Sequence, residues 1–171
     1  GSTGTTTWEV GGRGTGGDPV FFYLWNAYNR VLAAALVNDD TNSWTYTLET
    51  WRSRNASTSN RVSFVRGLNE DAMEGDMTVA FQNSGAGIRG HIGFGLDSTT
   101  ARSTTGISYY AHTPAADSAM PCYESWVGYP GIGLHFLQAL EFSQAAGTTT
   151  WIGDGGIPNE INTGMNIRGM F

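Results

Sequence analysis

Met77-Thr78-Val79-Ala80-Phe81-Gln82 decides the fold class. Met77, Val79 and Phe81 fall on one side of an extended chain, and Thr78, Ala80 and Gln82 on the other. This is the period of two that a strand imposes. Downstream, Ile88, Ile92, Phe94 and Leu96 alternate in the same way with Arg89, His91, Gly93 and Gly95. At the C-terminus Met165, Ile167 and Phe171 alternate with Asn166, Arg168 and Met170. From Phe21 onward, turn-forming residues separate short strand candidates at 20–25, 30–37, 44–51, 61–68, 77–82, 88–96, 106–112, 122–128, 134–143, 148–152 and 163–171. Two of these, Arg30 to Val37 and Leu134 to Gln144, carry helix formers. Both are short, and Pro130-Gly131 and Gly147 frame the second as a strand, so both are read as strands. Regular short strands of this kind predict an all-β antiparallel sandwich or barrel over residues 20–171. Residues 1–19, with Gly11-Gly12-Arg13-Gly14-Thr15-Gly16-Gly17, read as a Gly/Thr-rich N-terminal arm or linker.

Composition agrees. The chain has 171 residues, 24 of them Gly, with 12% aromatic and only 14% charged residues. Charge is low against a typical soluble domain at about 25%, and polarity comes from Thr, Ser and Asn instead. Helical bundles and coiled coils need Ala, Leu, Glu and Lys in quantity and are excluded on that ground. All nine basic residues are Arg and the net charge is −6. An acidic chain without a basic patch is a poor nucleic-acid binder, because phosphate neutralisation supplies most of that affinity. The longest apolar run, Val31 to Val37, is far shorter than the ~20 residues that span a bilayer, so membrane insertion is not expected. Cys122 is the only cysteine. It permits no internal disulfide and is expected to stay reduced, without a chemical role.

Motifs for catalysis or cofactors are weak. The two G-x-G-x-x-G matches, at Gly12, Gly14, Gly17 and at Gly85, Gly87, Gly90, lack the helix that would hold a pyrophosphate. Glu70-Asp71-Ala72-Met73-Glu74-Gly75-Asp76 offers oxygen ligands for Ca²⁺ but no EF-hand register, and reads as a solvated loop. Asn38-Asp39-Asp40-Thr41-Asn42 reads as a turn. His91, His112 and His135 are isolated, so no zinc motif exists. The expectation is a protein with no metal, no cofactor and no enzyme activity.

Aromatic residues carry the most chemistry. Six are Trp: Trp8, Trp25, Trp44, Trp51, Trp126 and Trp151. Rings suit the core and subunit contacts, but also sugars, whose C–H faces stack on them. The least regular stretch of the body, Tyr109 to Tyr129, is the candidate ligand site, since long connections on a rigid scaffold are where binding residues gather. Its candidate residues are Tyr109, Tyr110, His112, Asp117, Tyr123, Glu124, Trp126 and Tyr129. The alternative for the same rings is core or interface packing.

Several stretches resemble a C-terminal β-domain of tailed-bacteriophage fibre and receptor-binding proteins. They are Tyr23-Leu24-Trp25-Asn26-Ala27-Tyr28-Asn29-Arg30-Val31, Ser43-Trp44-Thr45-Tyr46-Thr47 with Thr50-Trp51-Arg52, and Asn60-Arg61-Val62-Ser63-Phe64-Val65-Arg66-Gly67-Leu68. Further on come Gly93-Phe94-Gly95-Leu96-Asp97-Ser98-Thr99-Thr100-Ala101, Gly128-Tyr129-Pro130-Gly131-Ile132-Gly133-Leu134-His135-Phe136-Leu137 and Trp151-Ile152-Gly153-Asp154. The resemblance spans about residues 21–169. It implies a jelly-roll-like sandwich forming a homotrimer in the virion, assembled in the host cytoplasm beside other virion proteins. It also implies a longer protein of which this chain is a part. Two functions fit: a fibre or spike head that binds a bacterial surface glycan, or a capsid-decorating or fibre-capping trimer with no host ligand. A polysaccharide hydrolase is a third, weaker fit.

Overall fold

The computed structural model describes residues 7–11, 21–25, 30–155 and 163–170. In chain order the strands are β1 (Thr7–Gly11), β2 (Phe21–Trp25), β3 (Leu32–Asn38), β4 (Ser43–Thr45), β5 (Arg52–Ser53), β6 (Arg61–Arg66) and β7 (Met73–Asn83). They continue with β8 (Arg89–Leu96), β9 (Gly106–Tyr109), β10 (Ala111–His112), β11 (Met120–Gly128), β12 (Gly133–Ser143), β13 (Thr149–Ile152) and β14 (Gly164–Met170). No described residue is in an α-helix; the only helical turn is a short 3-10 segment at Arg54–Ala56. No described helix is long and apolar enough to cross a membrane.

Two antiparallel sheets face each other. The seven-stranded sheet runs β3-β14-β7-β11-β9, and β13 also pairs with β7 and with β4. The long strand β7 makes this possible. Its Glu74–Thr78 half pairs with β14 and its Ala80–Asn83 half with β13, while β11 lies along its other side. The five-stranded sheet runs β10-β8-β12-β5, with β6 also on β12. The arm stretch contains β1, which pairs with β2 in a two-stranded ladder of its own.

The alternation read from the sequence points the apolar side chains into the space between the sheets. Met77, Val79, Phe81, Ile92, Phe94, Met165 and Ile167 are buried there with Trp126 and Trp151. Phe81 packs on Trp151 at 5.3 Å and Phe94 on Trp126 at 6.4 Å between ring centroids. Gly75 lets Phe94 approach, and a Cβ at Gly90 would sit 2.8 Å from the Phe81 ring. Both indole N–H groups are satisfied, Trp126 Nε1 donating to Ser103 Oγ at 2.9 Å and Trp151 Nε1 to Ser143 Oγ at 3.0 Å, as buried Trp requires. Fully burying a ring of this size contributes about 2–3 kcal/mol. Cys122 lies in the same core, and burial pushes its thiol pKa up to about 12.

Two buried carboxylates sit between the sheets, each held by one arginine. Glu141 accepts from Trp44 Nε1, Arg52 Nε and Arg52 Nη2, all at 2.7 Å. Glu124 accepts from Arg102 Nη2 at 3.1 Å, and the same nitrogen donates to Ser108 Oγ at 2.9 Å. Burial raises the pKa of both carboxyls, and their hydrogen bonds and arginines oppose the rise.

Two readings of the sequence change, and a third, the rejection of a phosphate loop, holds. Met73 to Asp76 belong to β7 rather than to a solvated loop. Glu74 and Asp76 look acidic and loop-like because they occupy the outward positions of that strand, while Met73 and Gly75 are buried. The span 44–51 forms a strand only as far as Thr45; beyond it the chain leaves the sheet, and Tyr46 Oη donates to the Thr50 carbonyl at 2.6 Å. Gly85 to Gly90 forms a turn into a strand, with Gly87 at φ 72°, and so has no helix N-terminus for a phosphate. The other glycine motif lies outside the described residues.

Candidate functional site

The outer faces of the two sheets differ. The five-stranded sheet is covered: Leu140 and Gln138 on its outward side are buried. Gln138 Nε2 donates to the carbonyls of Ser57 at 3.1 Å and Asn60 at 2.9 Å. A Cβ at Gly93 would touch the Arg102 side chain at 2.8 Å, and one at Gly95 would meet the Ser98 carbonyl at 2.2 Å. The segments around 46–60 and 97–103 therefore lie directly on this sheet.

The outer face of the seven-stranded sheet has no such cover among the described residues. Register builds its rows. Ile107, Ser125, Asp76, Asn166 and Leu36 stand opposite one another across five strands. The next row places Tyr123 beside Thr78, Gly164 and Asn38. Tyr123 is 56% exposed, and its hydroxyl donates to Asp76 Oδ1 at 2.7 Å. That bond is the main reason its phenol pKa is raised. Arg168 Nε donates to Glu74 Oε2 at 2.7 Å, and Arg168 Nη2 lies 3.5 Å from Asp76 Oδ2. The polar centre of the face is thus a network joining Tyr123, Asp76, Arg168 and Glu74.

Tyr123 forms a ridge between two hollows. On one side is a depression of about 230 Å³ floored by Gly164 and bordered by Asp76, Thr78, Asn38, Asn166 and Leu36. On the other is a groove of about 680 Å³ bordered by Ile107, Ser125, Pro121, Met120, Tyr110 and His112. The groove ends where the chain crosses between the sheets at Tyr110. There Tyr110 packs on His91 at 5.1 Å and on His112 at 4.8 Å between centroids, with Arg89 5.7 Å from its ring. His91 also meets Trp51 and Phe142. Burial among these rings, then the charges of Arg102, Arg89 and His112, lower the His91 pKa to about 4.

The eight residues of the sequence-based site separate by strand parity. Tyr110, His112 and Tyr123 border the groove. Glu124 and Trp126 point the other way on β11, into the core. Asp117 is exposed at a loop tip with φ 57°, its N–H on the Asn83 carbonyl, and does not border the groove. Tyr129 is exposed beyond the end of β11. The backbone of Tyr109 lies opposite Tyr123. Asp76, Asn166, Asn38 and Thr78 join the face from β7, β14 and β3, and the sequence-based site omitted them. The outward parity of Thr78 was readable, but its register against β11 and β14 was not. Among the described residues no group of three or more His, Cys, Asp or Glu is placed to hold a metal ion.

The fold defines the class: among the described residues, an all-β protein of two facing antiparallel sheets with one outer face left uncovered. No family model matches the chain, and no curated protein matches it at a significant level.

Proposed function

We propose that this domain is a binding module of a bacteriophage virion, and that the open face of its seven-stranded sheet receives a bacterial surface glycan. The observation that carries this reading is Tyr123, an exposed ring fixed by Asp76 between two hollows. A sugar ring can stack on it while its hydroxyls reach Asp76, Asn166, Thr78 or Ser125. The carboxylates on this face are already engaged, Asp76 by the Tyr123 hydroxyl and by Arg168, and Glu74 by Arg168, which supports binding over the general acid and base roles that glycoside hydrolysis asks of such a pair. Shallow, wet sugar sites bind weakly, on the order of millimolar, or about 4 kcal/mol. The resemblance also implies jelly-roll connectivity and a homotrimer.

The test is a glycan array of bacterial surface oligosaccharides probed with the parent, Tyr123→Ala and Tyr110→Ala. The reading expects the parent to bind a subset and both variants to lose at least about tenfold, or 1.4 kcal/mol, with unchanged circular dichroism. A folded parent that binds nothing favours the capsid-decorating or fibre-capping role. Release of reducing ends would point to a hydrolase.

A further inference from the structure

Edges of the two main sheets are unequal. A free edge strand offers unpaired N–H and C=O groups to any other strand, and proteins blunt such edges with shortness, charge or proline. Strands β5 and β10 have two residues each, β4 has three and β9 has four. Strand β6 is longer but begins and ends with Arg61 and Arg66. Strand β3 has none of these guards. It is seven residues long, Leu-Ala-Ala-Ala-Leu-Val-Asn, with no charge and no proline. Among the described strands it pairs with β14 alone. Val31, Leu32 and Leu36 are 65%, 68% and 66% exposed.

We infer that β3 is a self-association edge, pairing antiparallel with β3 of a second copy about a twofold axis at Ala35. An isologous contact sets residue i against j and j against i. Side chains facing each other across a ladder lie on the same face, so only registers centred on a residue are allowed. Centring on Ala35 places Leu36 against Ala34 of the other copy, a large side chain over a small one, and Ala33 against Val37. It also places Arg30 opposite Asp40 at both ends of the ladder. Moving the centre to Ala34 or Leu36 sets Arg30 opposite Asn38 or Asn42 instead. Arg30 already pairs with Glu70 and Asp71 of its own chain, so it arrives at the seam held in place. Asp40 is exposed. A second copy fits better than a foreign partner because the axis brings Ala35 onto Ala35 and only uncharged side chains against one another beside it, which avoids the like-charge pairs a charged strand would set opposite itself.

This inference is independent of the glycan reading. Twofold pairing of one edge closes after two chains and so departs from the trimer that the resemblance implies. Light scattering on the full chain at micromolar concentration decides between them. The expected mass is about 37 kDa, twice 18.4 kDa. Ala34→Lys, at an exposed position, is expected to return the mass to that of one chain with unchanged circular dichroism, and Asp40→Arg is expected to weaken the dimer. Opposed Cα atoms in an antiparallel pair lie roughly 4.5–5.5 Å apart, within the disulfide range of about 4.4–6.8 Å. Ala35→Cys is therefore expected to cross-link on oxidation with glutathione disulfide, and Leu32→Cys is not. Cys122 is buried and does not compete. A parent mass of one chain overturns the proposal, and slow amide exchange in β3 would then show that another part of the same chain covers it. A mass of three chains overturns it, as does a dimer that survives Ala34→Lys without a cross-link at position 35.

Discussion

The two outer faces of this protein are made from the same kind of strand but put to different use. On the five-stranded sheet, Gly93 and Gly95 leave room on β8 for Arg102 and for the 98–101 loop, and the Ser57 and Asn60 carbonyls close over Gln138. That face has become a second, minor core. On the seven-stranded sheet the outward positions carry Tyr123, Ile107, Val127 and Leu36 around the Asp76–Arg168 network, and they remain exposed. Residues on the covered face should therefore govern stability, and residues on the open face should govern binding with little effect on stability.

The core between the sheets, which both faces share, should show the largest effect. Arg52→Ala leaves the Glu141 carboxylate buried with the Trp44 indole as its remaining side-chain donor. Uncompensated buried charge is costly, and Arg52 is partly exposed, so a loss of about 3 kcal/mol is expected in urea unfolding. Next comes Gly95→Val, whose Cβ cannot coexist with the Ser98 carbonyl. Overpacking of this kind costs about 2 kcal/mol, whereas Thr78→Val on the open face should stay within about 0.5 kcal/mol. Equal losses for the two valine variants would erase the distinction between the faces.

His91 sharpens the comparison through pH. Its folded pKa of about 4 lies below its ordinary value of 6.5. Between those values the unfolded chain binds the proton more readily. The stability His91 contributes is thus complete above pH 6.5 and is lost as pH falls to about 4. Glu124 and Glu141, raised by burial, act in the opposite sense: their contribution is greatest when protonated and declines as pH rises through their folded pKa values. The clean readout is a difference. The parent should lose about 2 kcal/mol more than His91→Gln between pH 6.5 and 4, measured by thermal unfolding. Parallel pH profiles would show that His91 is not held neutral. The smallest stability change should come from Tyr123→Phe, which removes one exposed hydrogen bond and should shift unfolding by less than about 0.5 kcal/mol.

Much of the sandwich was legible because burial on one face writes a period of two into the sequence. Met77, Val79 and Phe81 are the clear case, and Arg30–Val37 and Leu134–Gln144 proved to be largely strand despite their helix formers. Legibility failed where the outward partner was misleading. Glu74 and Asp76 made the start of β7 look like a loop, and Leu140 and Gln138 are buried on an outward face that local alternation would leave in water. The candidate site was legible in part for the same reason. Tyr110, His112 and Tyr123 stood out as aromatic and polar, but their neighbours Glu124 and Trp126 have opposite parity. Asp76 and Asn166 reach Tyr123 only through the register of β11 on β7 and of β7 on β14. Cross-strand register is a property of the assembled sheet, and no short window of sequence contains it.

Hydrogen exchange, with and without the tightest oligosaccharide from the array, tests the division of labour between the faces most directly. Exchange is expected to slow in 106–112 and 120–128, beside the Tyr123 ridge, with the covering segments 46–60 and 97–103 unchanged. Slowing confined to those covering segments would place the ligand on the closed face and overturn the assignment of binding to the open one.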